Sequence, residues 1–238
     1  MAAPEPPGAD RRRPRKSRIT YHVRAALAAW LQAEAKRAHD DFGRYRVLDV
    51  GSGIKPYAPF FAPYADSYVG VDIRNPAADV EGSAEALPIE DGSFDLVLCT
   101  QVLEHVEDPD KAVRELHRVT SPGGRVLTST HGVQVYHPSP TDYWRWTHAG
   151  LALLFERNAE WESVSVTPVG GAATCLAATT GVYVDLLFRK AHLPPLAHAS
   201  IWTLNSLGAV VDRAVPSLRE PIPGSLHLNF HVVADKPR

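Results

Sequence analysis

The stretch Val47–Gly53, which reads VLDVGSG, decides the fold of this chain. An apolar strand, predicted over Tyr45–Val50, runs directly into a turn that contains two glycines. Glycine allows backbone conformations and close approaches that a side chain would prevent. In a doubly wound α/β sheet such a turn lies at the carboxyl edge, where ligands bind. The stretch therefore predicts a parallel sheet with a ligand site above its first strand.

The rest of the chain alternates between apolar runs typical of buried strands and segments with helical periodicity. This alternation indicates a mostly parallel sheet with helices on both faces. We expect an α/β, Rossmann-like, doubly wound sheet that ends in an antiparallel strand. Further strands are predicted at Tyr68–Asp72, Phe94–Thr100, Arg125–Thr130, Trp161–Val169 and Leu226–Ala234, and helices at Pro109–Val119 and Thr147–Arg157.

The charge of the chain is unevenly distributed. The 238 residues have a formal net charge of −2, but residues 1–18 hold six basic and two acidic side chains, which leaves −6 on the remainder. A segment rich in proline and arginine cannot bury an apolar core. We expect residues 1–18 to be a disordered basic tail, 19–43 to form an N-terminal helix and 44–238 to form the main domain.

Several classes of protein are excluded by composition. Two cysteines, Cys99 and Cys175, are too few for a disulfide framework or a cysteine zinc site. The first residues lack the apolar core of a signal peptide, and no run of about 18 apolar residues predicts a membrane span. Nucleic-acid binding needs a positive surface, so the acidic body argues against a nucleic-acid partner. The sequence therefore predicts a cytoplasmic protein.

A carboxylate follows the glycine turn at the spacing of a nucleoside site. Asp72 ends the predicted second strand, where a carboxylate can accept hydrogen bonds from ribose hydroxyls. Pro56 stands where a dinucleotide fingerprint has its third glycine, which packs the helix below a pyrophosphate. We therefore expect a nucleoside ligand without a pyrophosphate. The alternatives are an ordinary tight turn at the glycines and a helix cap at Asp72.

Four motifs in order resemble those of class I S-adenosylmethionine-dependent methyltransferases of the small-molecule type. The resemblance covers roughly residues 44–160. It implies S-adenosyl-L-methionine as cofactor and S-adenosyl-L-homocysteine as product. Segments 51–57 and 137–147 also resemble members associated with bacterial glycan biosynthesis, which implies a small-molecule or glycan acceptor. The motifs are Leu48–Gly53, Gly70–Asp72, Ala84–Asp95 and Leu103–Val106, with a Ser-Pro-Gly-Gly turn at Ser121–Gly124.

The resemblance implies cofactor contacts residue by residue. Asp49 would lie near the methionyl ammonium, and Asp72 would hold the ribose. The family often has aspartate at the position of Ser83, so here serine or Glu85 would accept the adenine amino group. The expected cofactor-binding residues are Asp49, Gly51, Gly53, Asp72, Ile73, Ser83, Ala84, Glu85, Gln101 and Val102.

Methyl transfer to a hydroxyl oxygen is helped by a general base that removes the proton. Three candidates follow the predicted strand at Arg125–Thr130, namely His131, His137 and Asp142. Each of them could instead hold the loop by side-chain to backbone hydrogen bonds. We expect no metal, because the sequence contains no histidine, cysteine and carboxylate cluster with a known ligand spacing.

Residues 171–215 form an apolar insertion between the last two strands, predicted as a helical hairpin. Residues 172–188 contain a single charged side chain, Asp185. The hairpin could complete the core, form a homodimer interface or make a weak membrane-surface contact with help from the basic tail.

The motifs together predict an enzyme, a methyltransferase that acts on a hydroxyl oxygen of a small-molecule or sugar-containing acceptor. N- or C-methylation of a small metabolite is one alternative, because a neutral amine needs no base. A non-catalytic cofactor-binding scaffold subunit is the other alternative, because the cofactor motifs predict binding and not turnover.

Overall fold

The computed structural model describes residues 6–138 and 140–238. Within these residues, seven strands form one sheet, and seven helices and a short 3-10 helix at Pro216–Arg219 accompany it. The strands are β1 (Tyr45–Val50), β2 (Ala65–Asp72), β3 (Val80–Glu81), β4 (Phe94–Thr100), β5 (Thr120–His131), β6 (Ser163–Val169) and β7 (Asn229–Asp235). The helices are α1 (Ala9–Arg12), α2 (Tyr21–Phe42), α3 (Ala58–Phe61), α4 (Pro109–Val119), α5 (His148–Asn158), α6 (Ala172–Lys190) and α7 (Pro194–Ala214).

The strands lie in the order β3-β2-β1-β4-β5-β7-β6. Neighbouring strands from β3 to β5 are parallel, whereas β7 runs antiparallel to both β5 and β6. The order reverses between β1 and β4, and ligands of doubly wound sheets bind above such a reversal. The predicted α/β, Rossmann-like fold with an antiparallel final strand is confirmed.

The two faces of the sheet bury separate apolar clusters, because successive side chains of a strand point to opposite faces. In β1, Val47 packs in the cluster below α2, and Leu48 packs in the cluster that includes α4 and α5. Leu96 and Val97 of β4 divide in the same way. This division explains why the buried strands read as continuous apolar runs.

The N-terminal segment differs from the disordered tail expected over residues 1–18. Residues 1–5 lie outside the described part, but Ala9–Arg12 form α1. The Arg12 guanidinium donates hydrogen bonds to the carbonyl oxygens of Pro6, Pro7 and Pro56, at 2.7, 2.6 and 2.6 Å. The charged Arg12 side chain therefore holds the segment against the main domain by hydrogen bonds. The composition alone does not predict these contacts.

Other differences from the sequence expectations concern short elements. The two-residue β3 and the single turn of α3 were not predicted, because neither is long enough to show a periodicity. Residues 121–124, predicted as a turn, lie inside β5. The β4–β5 register shifts between Phe94 and Leu96, where the glycines of that stretch are accommodated.

The apolar insertion consists of α6 and α7, which pack on each other. The Asp212 carboxylate of α7 accepts hydrogen bonds from the backbone N–H groups of Gly171, Ala173 and Thr174, at 2.8–3.0 Å. It therefore satisfies donors at the α6 N-terminus that have no partner inside that helix. Among the described helices, none combines the length and the apolar character needed to cross a membrane.

Candidate active site

The turn after β1 requires glycine for steric reasons. Gly51 and Gly53 have φ angles of +70° and +52°, in the left-handed region that side chains disfavour. A Cβ atom on Gly51 would lie 2.3 Å from Val102 Cγ2. The N–H groups of Gly51 and Ser52 both donate to the Val71 carbonyl oxygen, at 2.8 and 3.1 Å. The turn is thus held against the end of β2.

The Asp72 carboxylate supports this turn from the end of β2. Its Oδ2 accepts a hydrogen bond from the Gly53 N–H at 3.0 Å, and its Oδ1 accepts from Arg74 and Asn75 at 3.1 Å. An ionised carboxylate has about four lone-pair sites, so ribose hydroxyls could still donate to Asp72. The cap-like role is therefore present in the structure, and the ribose role stays a prediction.

Two buried polar groups beside the glycine turn suit a polar ligand. The Asp49 side chain is 4% exposed and accepts a 2.6 Å hydrogen bond from the Tyr68 hydroxyl. Burial raises the pKa of Asp49 to about 7, although Tyr68 and Lys55 oppose this shift. Ser52 Oγ is buried and has no hydrogen-bond partner in the described part of the chain. These groups fit the polar methionyl end of the expected cofactor.

The residues expected beside the adenine lie further from the centre of the sheet. Ile73 is 57% exposed directly after Asp72, which suits packing on a planar base. Ser83 Oγ accepts a hydrogen bond from the Glu85 N–H at 3.2 Å, and Glu85 Oε1 accepts from the Asp108 N–H at 2.6 Å. Ala84 is buried in the core. The Ser83 and Glu85 side chains are thus engaged within the protein, and their adenine contacts stay predictions.

Gln101, directly after β4, has an unusual backbone for its residue type. Its φ is +56°, and it is held by hydrogen bonds from its N–H to the Ser129 carbonyl and from Nε2 to Ser129 Oγ, at 2.7 and 2.8 Å. Left-handed backbone in residues other than glycine occurs often at ligand sites. The neighbouring Val102 contacts the glycine turn as described above.

The three predicted catalytic residues come together although they span 12 positions, from the last residue of β5 into the segment that follows it. One nitrogen or oxygen atom from each of His131, His137 and Asp142 lies within 4.8 Å of the others. His137 Nδ1 lies 2.5 Å from Asp142 Oδ2, and the Arg145 guanidinium donates to the same oxygen at 2.5 Å. His105 joins the group, with its ring centroid 5.1 Å from that of His137.

The environment gives these groups different protonation states. Burial alone would raise the pKa of Asp142, but hydrogen bonds from Arg145 and His137 lower it below its ordinary value. The Asp142 side chain is therefore ionised at neutral pH and can orient His137. Burial, together with the charge of Arg145, lowers the pKa of His131 to about 3. His131 is therefore a neutral imidazole at neutral pH.

The same cluster has the compactness of a metal site, which the sequence spacing did not reveal. However, Arg145 already compensates the charge of Asp142. The nitrogen of His137 that lies nearest to Asp142, Nδ1, is already hydrogen-bonded to that carboxylate. Internal hydrogen bonds therefore account for the cluster without an ion. The absence of a metal stays a prediction.

Sequence reasoning missed one buried carboxylate, Glu104. Its side chain is fully buried, its Oε1 lies 3.1 Å from His131 Nε2, and its Oε2 accepts a 2.9 Å hydrogen bond from the Thr130 hydroxyl. Burial raises the pKa of Glu104 to about 7. The available signal was its place before His105 in the motif Leu103–Val106, but its burial becomes visible only once β5 packs beside it.

One cavity of about 570 Å³ connects the glycine turn with the histidine cluster. From the cofactor set it is lined by Asp49, Gly51 and Gln101, and from the catalytic set by His131 and His137. Its other walls come from elements that the sequence did not assign to the site. These walls include Arg11, Arg24, Tyr57, Glu104, His105, Ala178, Thr179 and Val182.

The two tryptophans of the loop after β5 are packing residues. The rings of Trp144 and Trp146 stack on each other with centroids 5.8 Å apart, and Trp144 Nε1 donates to the Val106 carbonyl at 2.8 Å. Trp146 packs against the core cluster. Neither side chain lines the cavity.

Comparisons with known proteins agree with this geometry. Residues 48–128 match the family model of a methyltransferase domain. The uncharacterized methyltransferase YcgJ of Bacillus subtilis is 36% identical over 103 residues, which cover 37% of this chain and 41% of that protein. The ubiquinone biosynthesis O-methyltransferase of Pseudomonas paraeruginosa is 40% identical over 84 residues, which cover 35% of this chain and 34% of that protein.

The similarity extends further in structure than in sequence. The crystal structure of YcgJ matches with a TM-score of 0.51 at 22% identity, over 87% of this chain and 98% of that one. In sequence, the chain spans less than half the length of either curated relative. The comparisons therefore show a similarity to methyltransferase domains over residues 48–128 and support the fold, and they leave the acceptor open.

Proposed function

Because residues 48–128 match a methyltransferase domain, we propose that the protein is a class I S-adenosylmethionine-dependent methyltransferase that transfers a methyl group to a hydroxyl oxygen of an acceptor. The observation that carries this proposal is the shared cavity, which is lined by the glycine turn on one side and by the histidine cluster on the other. Such a cavity can hold cofactor and acceptor together, and proximity and orientation can supply much of the rate enhancement.

The bound cofactor supplies a methyl group on a sulfonium. Asp49 and the glycine turn would hold its methionyl end, since Asp49 is a buried acceptor and Ser52 Oγ is a buried polar atom without a partner in the described residues. Asp72 would hold the ribose hydroxyls. The three groups lie at the carboxyl ends of β1 and β2, as expected for a nucleoside site of this fold.

His137 is the better candidate for the general base. Asp142 is ionised and holds His137 Nδ1, which leaves Nε2 to take the proton of an acceptor hydroxyl. A carboxylate in this position also stabilises the imidazolium that forms. His131 has its pKa lowered to about 3, so a role as hydrogen-bonding partner to the acceptor suits it better.

The oxygen acceptor and its chemical class are proposed from two similarities. A curated relative is named as an O-methyltransferase, and the segments 51–57 and 137–147 resemble members associated with glycan biosynthesis. We propose a hydroxylated small molecule or sugar-containing acceptor on this basis. The cytoplasmic location stays a prediction.

Cofactor binding is tested separately from turnover. We expect S-adenosyl-L-homocysteine to bind the purified full-length protein in titration calorimetry, and Asp72→Ala to weaken its affinity at least about tenfold while the protein remains folded, with a lower unfolding temperature because three backbone donors lose their acceptor. Unchanged affinity in this variant would refute the ribose assignment. Absence of S-adenosyl-L-homocysteine release with every hydroxylated acceptor tested would favour a scaffold subunit.

Once an acceptor is found, the base is tested by the rate of methyl transfer in two variants. We expect His137→Gln to lower kcat about 10²-fold or more. The matched variant His131→Gln should lower kcat less. A full rate in His137→Gln would instead indicate a neutral amine acceptor, which needs no base.

A further inference from the structure

The hairpin of α6 and α7 exposes many large apolar side chains. Of the eighteen large hydrophobic side chains that are exposed in the described residues, nine lie between positions 172 and 214. Those on α6 at positions 176, 183 and 187 follow helical spacing along one face. A patch of this kind on a protein surface marks an interaction site. The nine are Leu176, Tyr183, Leu186, Leu187, Leu193, Leu196, Trp202, Leu207 and Val210.

The exposed charge of this hairpin has one sign. Its two acidic residues, Asp185 and Asp212, are 8% and 4% exposed; Asp212 accepts backbone hydrogen bonds, and Asp185 accepts one from the Arg189 guanidinium at 2.7 Å. Because Asp185 compensates the charge of Arg189, the exposed positive charge of the hairpin comes from Lys190 and Arg213. The hairpin therefore presents an apolar surface bordered by positive charge.

The fold places a second positive element beside the hairpin. The buried Asn205 amide of α7 donates to the carbonyl oxygens of Lys16 and Arg18, at 2.7 and 3.1 Å. This contact anchors residues 11–18, here called the basic segment, against α7. Five of its six basic side chains are exposed. The exposed ones are Arg11, Arg13, Arg15, Lys16 and Arg18.

The basic segment also lines a cavity of its own. This cavity has a volume of about 590 Å³, and four arginines contribute to its walls. Its acidic residue, Asp10, is already paired with Arg24 at 2.6 Å. Arg15 and Arg18 on its walls therefore favour an anionic group such as a phosphate. The four arginines are Arg13, Arg15, Arg18 and Arg24.

We propose that the hairpin and the basic segment together form a docking surface for an anionic lipid membrane. Exposed leucines with tryptophan and tyrosine suit the interface between headgroups and acyl chains, and arginine and lysine are attracted to anionic lipids. A second copy fits less well, because a two-fold interface would place the same basic segment of both copies in one contact. The helices would lie on the membrane surface and not cross it.

The position of this surface gives it a functional consequence, which rests on the proposed function. Arg11 of the basic segment and Ala178, Thr179 and Val182 of α6 also line the active-site cavity. Docking would thus bring the cavity to the bilayer, where a membrane-borne acceptor can enter. Vesicle binding itself requires no methyl transfer, so the two proposals fail independently.

The test is cosedimentation of the full-length protein with vesicles of phosphatidylcholine, with and without phosphatidylglycerol. We expect binding to vesicles with phosphatidylglycerol that is at least about tenfold stronger than to phosphatidylcholine alone and that weakens with added salt. The double variant Leu187→Glu, Leu196→Glu should bind at least about tenfold more weakly.

The matched control is Leu153→Glu on α5, where an equally exposed leucine (54%) lies outside the hairpin. It should bind vesicles like the unchanged protein, and circular dichroism should show that both variants remain folded. Three results would overturn the proposal: no binding to phosphatidylglycerol vesicles, equal binding to both vesicle types, or equal loss in Leu153→Glu. Dimerisation in sedimentation velocity without vesicle binding would assign the surface to a second copy instead.

Discussion

Single residues at the site are constrained in two different ways, by the lack of space for a side chain and by the burial of a carboxyl group. At Gly51 the backbone demands that no side chain be present, because the adjacent space is filled by Val102. At Asp49 and Glu104 the fold buries carboxyl groups whose pKa values rise to about 7. Burial of a charge is costly, and groups with such perturbed pKa values are common at sites where a ligand binds or a reaction occurs.

Gly51→Ala should abolish tight cofactor binding. The new Cβ would displace Val102 and carry the cost of a left-handed backbone, about 1–2 kcal/mol. We expect calorimetry to show at least about tenfold weaker S-adenosyl-L-homocysteine binding. Gly43→Ala is the matched control, since Gly43 has a φ of +75° with nothing within 4 Å of its Cβ position. If both variants bound equally, the steric reason would be wrong.

Glu104→Gln should make stability less dependent on pH. The folded-state pKa of Glu104 is raised by burial from 4.5 to about 7, so the folded protein retains a proton that the unfolded chain releases over this range. Stability is therefore present at low pH and is lost as pH rises through the folded pKa, by on the order of 3 kcal/mol.

Glutamine stays neutral and can still accept the Thr130 hydroxyl hydrogen bond. The variant should thus be more stable than the unchanged protein at about pH 8, and this advantage should vanish at about pH 4, below the unfolded pKa. Urea unfolding at both pH values measures the difference. A pH-independent difference would show that the folded protein ionises Glu104 as readily as the unfolded chain.

At the scale of elements, the hairpin is attached by polar contacts at its base. Asp212 of α7 satisfies three backbone donors at the start of α6, although the apolar sequence of this hairpin indicates hydrophobic packing alone. Gly171 allows this approach, since a Cβ there would lie 2.6 Å from Asp212 Oδ1. The carboxylate also complements the positive end of the helix dipole.

Asp212→Ala should therefore destabilise the protein more than a typical surface substitution. Removing the carboxylate leaves three buried or partly buried N–H groups without acceptors, for an expected loss of about 2–4 kcal/mol in the free energy of unfolding. Asp212→Asn keeps one acceptor oxygen and should lose less. Chemical denaturation measures both losses, and a loss below about 0.5 kcal/mol for the alanine variant would contradict the capping role.

At the scale of the whole molecule, the N-terminal segment connects distant parts of the chain. Arg12 reaches the loop after β1, and Asn205 of α7 holds the backbone of Lys16 and Arg18. The segment thus bridges the cofactor side of the cavity and the hairpin. Its basic charges, which only partly offset the net charge of −6 on the remainder of the chain, lie together beside one face.

Deleting residues 1–18 should destabilise the remaining chain, because the buried Asn205 amide would lose two acceptors. We expect about 1–3 kcal/mol from this loss. Asn205→Ala in the full-length chain should cost a similar amount, and the two changes combined should cost less than their sum, because they remove the same contact. Full additivity in urea unfolding would show that the segment and Asn205 are independent.

Local patterns were sufficient for the sheet. The bounds of β1, β4 and α4 agree with their predictions, because apolar runs and helical periodicity record burial directly. The glycine turn and Asp72 could also be predicted from the sequence, because they lie at the ends of adjacent strands. Glu104 was missed because its importance depends on a contact with His131, which lies 27 positions away.

The sequence by itself therefore determined the Rossmann-like sheet, the glycine turn and the family motifs, since each depends on residues close together in the chain. Only the tertiary structure decided which walls close the cavity, how the histidine cluster is protonated and that the basic segment is ordered. These features depend on contacts between residues as far apart as 44 and 189 positions. Such contacts leave no local periodicity, because their partners meet only after the sheet and the hairpin have packed.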